Sequence, residues 1–404
     1  MVEVADVERA ARAVAGVARA TPVLPAKRLA RQTGGEIWLK LENLQVTGSF
    51  KVRGAVNRLS ALSDDERARG VVAASAGNHA QAVAWAARSL GTSATLYMPA
   101  EAPLAKIAAV HEYGGQVELV DGVLEDAFVA ATAATDADGR TLVHAYDDPL
   151  VIAGQGTAGL EILEQVPEVA KVIVPVGGGG LISGVAVALR AARPGVQVVG
   201  VQSDAVGPYA GVEASERAST ICDGIAVKKP GRVTKPMIDE LVDEIVTVSD
   251  DEAAQAMVFL LERSKQVVEG AGAVGIAALM QERVKPAPEG ATVVILSGGN
   301  VDATLLVEAI RLGETAAGRR MILATKIPDR PGGLATLLGL VADLGANVLD
   351  VEHLRDGMDL HVRETAVQLV LQTRGRDHDE RILAAVTQAG YAPEQGPLPA
   401  SAED

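Results

Sequence analysis

Apolar residues gather along this chain in short runs, and between the runs they return at every third or fourth position. The runs at 70–74, 94–98, 116–120, 141–144, 169–176, 197–202, 246–248 and 292–296 read as strands, and Ile37-Trp38-Leu39-Lys40-Leu41-Glu42 adds an alternating one. Helical spacing covers 3–20, where Thr21-Pro22 ends it, and then 78–90, 103–113, 124–134, 154–165, 181–193, 250–262 and 271–282. The strands are too continuously apolar to face water, so strict strand–helix alternation predicts parallel sheets covered on both sides. A division near residue 150 predicts two lobes with a cleft between them, ligands sitting at the carboxyl ends of the strands.

The pattern changes at Gly313-Glu314-Thr315-Ala316-Ala317-Gly318-Arg319-Arg320, read as a linker across 314–320. Beyond it come a strand (321–325), a helix (333–344), two strands (346–354 and 366–372), a helix (378–389) and a final strand near Tyr391. That βαββαβ order predicts a small antiparallel sheet with both helices on one face, occupying 321–395. The small, polar and proline residues of 396–404 predict a tail without fixed structure.

Composition narrows the task. The 404 residues are 48% hydrophobic but only 2% aromatic, so the cores are built from Ala, Val, Leu and Ile, and 42 glycines imply many tight turns. A formal charge of -15 argues against nucleic acid or an anionic membrane as partner, because either needs a basic surface. Cys222 is the only cysteine, and the N-terminus lacks the basic start and apolar core of a signal peptide, which together predict a cytoplasmic protein. Six histidines are scattered without metal-ligand spacing, so no metal is expected.

Four turns carry candidate chemistry. In Gly48-Ser49-Phe50-Lys51-Val52-Arg53-Gly54, a lysine opens a helix directly after a strand, where a partly dry pocket would lower its pKa and make it a nucleophile. The alternative is a solvated lysine beside a capping serine. Pro175-Val176-Gly177-Gly178-Gly179-Gly180-Leu181 lets backbone N–H groups converge at a helix N-terminus, which suits a phosphate, although four glycines also make a flexible turn. Ser75-Ala76-Gly77-Asn78-His79 offers an amide at a strand end, with helix capping as the competing role for Asn78 and a structural one for His79. Ser297-Gly298-Gly299-Asn300 places a neutral hydroxyl where it can meet a ring nitrogen without ionising it. Glu269 precedes a helix, and capping is an equal alternative to a place in a site; Cys222 reads as a small buried side chain. An activated lysine, a phosphate turn and two further strand-end turns together describe a site for pyridoxal 5'-phosphate.

These four motifs, in this order and spacing over about residues 5–313, resemble the threonine dehydratase (threonine ammonia-lyase) family. The resemblance implies the tryptophan synthase β-type fold, fold type II of pyridoxal phosphate enzymes, with a smaller lobe of about 47–148 inserted in the larger one. It implies that Lys51 holds the cofactor as a Schiff base and then removes the α-proton, with Phe50 beside the ring. Asn78 would bond the phenolic oxygen, Gly177, Gly178, Gly179, Gly180 and Leu181 the phosphate, and Ser297 the pyridine nitrogen. Ser75, Ala76, Gly77, Asn78 and His79 would receive the substrate carboxylate. The implied reaction converts threonine to 2-oxobutanoate and ammonia, with serine as a slower substrate. Serine racemases of this fold are similar but carry a serine where Ala76 stands, and their acidic metal cluster is not reproduced in Gln202-Ser203-Asp204-Ala205-Val206-Gly207-Pro208. Cysteine synthases use a different lysine loop and lack the appended domain. The segment 321–395, with Pro328-Asp329-Arg330-Pro331-Gly332 before its first helix, resembles an ACT regulatory domain, which implies an effector such as isoleucine or valine and a homo-oligomer. An L-serine dehydratase and a non-catalytic amino-acid sensor are the two other readings.

Overall fold

A computed structural model describes residues 1–215, 218–354 and 360–396. The chain forms two compact units, Met1–Leu306 and Val307–Asp404.

The described residues of the first unit form ten strands: β1 (Val23–Pro25), β2 (Glu36–Leu41), β3 (Val71–Ala74), β4 (Ala94–Pro99), β5 (Gln116–Val120), β6 (Thr141–Leu142), β7 (Val169–Pro175), β8 (Gln197–Ser203), β9 (Glu244–Val248) and β10 (Ala291–Leu296). They make a six-stranded sheet in the order β1-β2-β10-β7-β8-β9 and a four-stranded sheet in the order β5-β4-β3-β6. Among these strands β1 runs antiparallel, on β2, and the other strand-to-strand pairings are parallel. All residues of β10 are buried, as its unbroken apolar run requires of a central parallel strand. The Pro149–Gln165 and Gly180–Ala192 helices pack backbone to backbone on each other: a Cβ on Gly184 would lie 2.2 Å from the Ile152 carbonyl oxygen. The carboxyl ends of β2, β3, β7 and β10 lead into the four turns singled out from the sequence.

Several expected bounds shift for identifiable reasons. The first helix stops at Val14 because Gly16 takes a left-handed φ of 74°. The helix expected from 154 begins at Pro149, since Asp148 caps it by accepting from the N–H groups of Leu150 and Val151. The strand expected over 141–144 ends at Leu142, and the helix expected to 262 gives way at Leu260–Ser264 to a π-helical turn. The stretch read as a linker is not irregular throughout: a helix runs over Ala303–Ala316, and Arg320 already opens a strand.

The second unit contains β11 (Arg320–Pro328), β12 (Asn347–Leu354), β13 (Glu364–Gln372) and β14 (Glu394–Gln395), antiparallel in the order β12-β13-β11-β14. Met321, Leu323 and Ile327 alternate with outward residues on β11, as do Val367, Leu369 and Leu371 on β13. This single apolar face packs on Leu337 and Val341 of the Gly333–Asp343 helix and on Ile382 and Val386 of the Arg376–Gln388 helix. The final strand lies three residues beyond Tyr391, and 397–404 of the expected tail lie outside the described residues. No described helix is long and apolar enough to cross a membrane.

Candidate active site

The four turns meet in a cleft of about 390 Å³ within the first unit. Phe50, Lys51, Ser75, Ala76, Gly77, Asn78, His79, Gly177, Gly178, Gly179, Gly180, Leu181 and Ser297 all line it. A somewhat larger groove of about 450 Å³ lies between Leu29 and Pro288, but none of these turns reaches it.

Lys51 is the first residue of the Lys51–Ser60 helix, reached from β2 through a turn whose backbone is tied to the end of β10: the Phe50 N–H donates to the Ser297 carbonyl at 3.1 Å. Its ammonium donates to the Ala145 carbonyl at 2.9 Å and lies 5.1 Å from the Phe50 ring centroid. Burial pushes its pKa from 10.5 to about 8, with the Glu269 charge opposing part of the effect. Near pH 7 that makes roughly one lysine in ten a neutral amine, about 300 times the fraction of an unperturbed side chain.

The 177–180 turn joins β7 to the Gly180–Ala192 helix, whose opening N–H groups have no intrahelical acceptor. Glycine is demanded here by packing as well as by conformation. A Cβ on Gly178 would lie 2.2 Å from the Tyr146 ring, and Gly179 has a φ of +93°. The Gly178 carbonyl is held from behind by the hydroxyls of Tyr209 at 2.9 Å and Thr234 at 2.7 Å. This is a rigid concave wall of backbone rather than a flexible loop.

Asn78 is the first residue of its helix and does not cap it. Its Nδ2 donates to Glu269 Oε1 at 2.8 Å and Oε2 at 3.1 Å, and its Oδ1 accepts from Asn300 Nδ2 at 2.7 Å. His79 turns away from the chemistry: its Nε2 bonds the Val143 carbonyl at 2.8 Å, and burial together with the nearby Lys51 charge lowers its pKa to about 3, so the ring stays neutral. Cys222 is buried and its thiol is pushed up to about 12 by that burial, which leaves it inert.

The structure adds groups that the sequence left undecided or unseen. Glu269 also lines the cleft, makes no cap bond, and is pushed up to about 7, chiefly by burial and against the bond from Asn78. Lys106 and Asp223 face each other at 2.7 Å within the cleft lining. Behind Lys51, the fully buried Arg53 grips Glu42 with Nε and Nη2, both at 2.8 Å, and Glu161 with Nη1 at 2.6 Å and Nη2 at 2.9 Å. Lys40 reaches Glu161 and the Thr21 carbonyl, so two cations and two carboxylates close a neutral quartet. Burial alone would raise Glu42, but the Arg53 guanidinium outweighs it and holds the carboxyl below its usual range.

Comparison with known proteins places this site in context. Residues 14–298 match the model of a family described as pyridoxal-phosphate dependent enzymes. An L-threonine ammonia-lyase of Thermotoga maritima is 45% identical over 397 residues, 97% of this chain and 98% of that protein. Among solved structures, maize serine racemase superposes with a TM-score of 0.73 at 34% identity, covering 76% of this chain and 97% of its own. The processed form of threonine deaminase isoform 2 from Solanum lycopersicum gives 0.71 at 34% identity, covering 76% and 92%.

Proposed function

The chain belongs to the pyridoxal-phosphate dependent enzymes, and from that premise we propose that it is an L-threonine ammonia-lyase, forming 2-oxobutanoate and ammonia. The observation that carries this is the half-buried Lys51 amine sharing one cleft with the four-glycine turn, where burial lowers its pKa to about 8. The cleft suits the cofactor, because the 177–180 turn brings successive backbone N–H groups to a helix N-terminus in the same cleft as the Lys51 amine. When bound, pyridoxal phosphate supplies an aldehyde for the substrate amine and an electron-poor ring that eases loss of the α-proton and then of the β-hydroxyl.

Around that chemistry each residue has a defined task. Lys51 holds the cofactor through its amine and, once released, takes the α-proton, for which a pKa of about 8 is well matched near neutral pH. The N–H groups at 177–181 hold the phosphate at the helix N-terminus. Asn78 donates to the ring oxygen, and Ser297 meets the ring nitrogen without forcing it to ionise. The 75–79 turn receives the substrate carboxylate, where Ala76 has no proton to return to the opposite face; that favours elimination over racemisation. Threonine and serine differ by one methyl group, worth about 1–3 kcal/mol in an apolar pocket, so serine is turned over as a weaker substrate.

Borohydride reduction of the purified protein followed by peptide mapping tests this directly. Label on Lys51, with oxoacid formed faster from threonine than from serine, supports the lyase. A faster rate with serine would favour a serine dehydratase, and no label would leave an amino-acid sensor.

The second unit is assigned a regulatory role as an ACT-like domain of a cytoplasmic homo-oligomer. The outer strand β12 supports it, since Leu349 is 51% exposed and Val351 36% exposed, and a second copy could cover both. Removing residues 319–404 should leave turnover intact and abolish the response to isoleucine or valine; regulation surviving the deletion would refute the assignment.

A further inference from the structure

Apart from His79, whose ring is bonded to the Val143 carbonyl, Glu269 is the buried ionisable side chain of the cleft that has no task in the reaction. It occupies the N-cap position of the Gly270–Met280 helix, where a carboxylate ordinarily accepts from the first-turn N–H groups. It declines that role and turns into the cleft. Space for it is reserved by two glycines: a Cβ on Gly298 would lie 2.4 Å from Glu269 Oε1, and one on Gly224 would lie 3.3 Å away.

Among the described residues the carboxylate has one hydrogen-bond partner, the Asn78 amide nitrogen, at 2.8 and 3.1 Å. A carboxylate only accepts, so the Asn78 NH2 group must face it. On the other side Asn300 Nδ2, itself anchored on the Thr47 carbonyl at 2.8 Å, only donates, so the Asn78 oxygen must face Asn300. Both neighbours enforce the same amide orientation. An amide nitrogen carries two N–H groups, so Asn78 Nδ2 has a donor beyond the one that holding Glu269 requires, while its acceptor is already taken.

We propose that Glu269 is the positioning residue that fixes Asn78 as a donor toward the ring oxygen of pyridoxal phosphate, and that it affects the cofactor only through Asn78. This rests on the reading that Asn78 meets that oxygen. The groups that bear on Glu269 are Asp223, which discourages its ionisation, and Lys106 and Lys51, which favour it. Either protonation state leaves an oxygen able to accept from Asn78.

A double-mutant cycle on the full-length chain tests the inference. Wild type, Glu269→Ala, Glu269→Gln, Asn78→Ala and the double alanine variant are stripped of cofactor and titrated with pyridoxal phosphate, following the absorbance of the bound form. Glu269→Ala should weaken uptake about tenfold or more, as expected for losing a hydrogen bond to a charged group, and should shift the absorbance band. Glu269→Gln keeps the shape and an accepting oxygen while Asn300 still fixes Asn78, so it should recover most of the affinity. The double variant should bind no more weakly than Asn78→Ala alone. Losses that multiply in the double variant, a silent Glu269→Ala, or a Glu269→Gln as weak as Glu269→Ala would each overturn the proposal with the site reading intact. Wild type that takes up no pyridoxal phosphate would sink both.

Discussion

Replacing Lys51 with methionine should make the cofactor-free protein more stable, although it destroys the nucleophile. Burial holds the Lys51 ammonium at a pKa of about 8 where a free lysine has 10.5. At about 1.4 kcal/mol for each tenfold change, keeping that charge buried costs the folded chain about 3 kcal/mol near pH 7. The bond to the Ala145 carbonyl, lost in Lys51→Met, offsets about 1 kcal/mol. The net expectation is a gain of about 2 kcal/mol. Its pH dependence has a definite sign. Between about 8 and 10.5 the unfolded wild type holds more protons than the folded one, so the wild type gains stability as pH rises through that window. Methionine has nothing to titrate, and the advantage of the variant closes as pH passes 10.5. Both tryptophans, Trp38 and Trp85, lie in the Met1–Leu306 unit, so the urea midpoint of tryptophan emission reports that unit alone. A gain that stays flat up to strongly alkaline pH, or a variant less stable near pH 7, would show that Lys51 is not a desolvated ammonium.

Other perturbations probe the rest of the site. Gly178→Ala puts a Cβ 2.2 Å from the Tyr146 ring; affinity for pyridoxal phosphate, read by equilibrium dialysis, should fall about tenfold or more, the loss expected of a hydrogen bond to a charged group, and unchanged affinity would dismiss the cradle. Arg53→Met strips the buried Glu42 and the partly exposed Glu161 of their common partner, so the urea midpoint should report a loss of about 3–5 kcal/mol, whereas a loss under about 1 kcal/mol would mean that water already reaches the quartet. Ala76→Ser adds a hydroxyl to the wall of the cleft, and chiral chromatography after incubation with L-serine should reveal D-serine that the wild type does not make; none forming would remove the argument that a missing proton donor decides between elimination and racemisation.

What could be read from the sequence was whatever the chain states locally. A run of apolar residues ending in glycines, or a lysine following a Gly-Ser turn, is written within a few positions, and the strands and the turns of the cleft follow from that. Glu269 was not decidable in this way, because the same position before a helix serves a cap or a site, and the choice is made by Asn78, 191 residues away. The Asn300–Asn78 bond spans 222 residues, and Lys40 reaches Glu161 across 121. Helix starts failed where a cap lay outside the apolar period, as Asp148 does, and the Ala303–Ala316 helix escaped notice because its polar tail resembles a linker.

The same long-range partners explain why the lysine stretch has its particular composition. Arg53 stands two residues after Lys51, about 200° around the helix, so one side chain faces the cleft while the other enters the buried quartet behind it. Gly54 follows because its helix presses on the Pro149–Gln165 helix with no room for a side chain: a Cβ there would lie 2.4 Å from Gln155 Nε2 and 2.8 Å from the Val151 carbonyl oxygen. From the other side, a Cβ on Gly154 would meet the Arg53 carbonyl oxygen at 2.6 Å. Charge therefore fixes the rotation of the Lys51–Ser60 helix and backbone contact fixes its depth. A buried ion quartet contributes little net stability over an apolar cluster of the same shape, but it tolerates only one register. That is the property a reactive amine needs when it must sit in a dry pocket at a constant distance from the glycine wall.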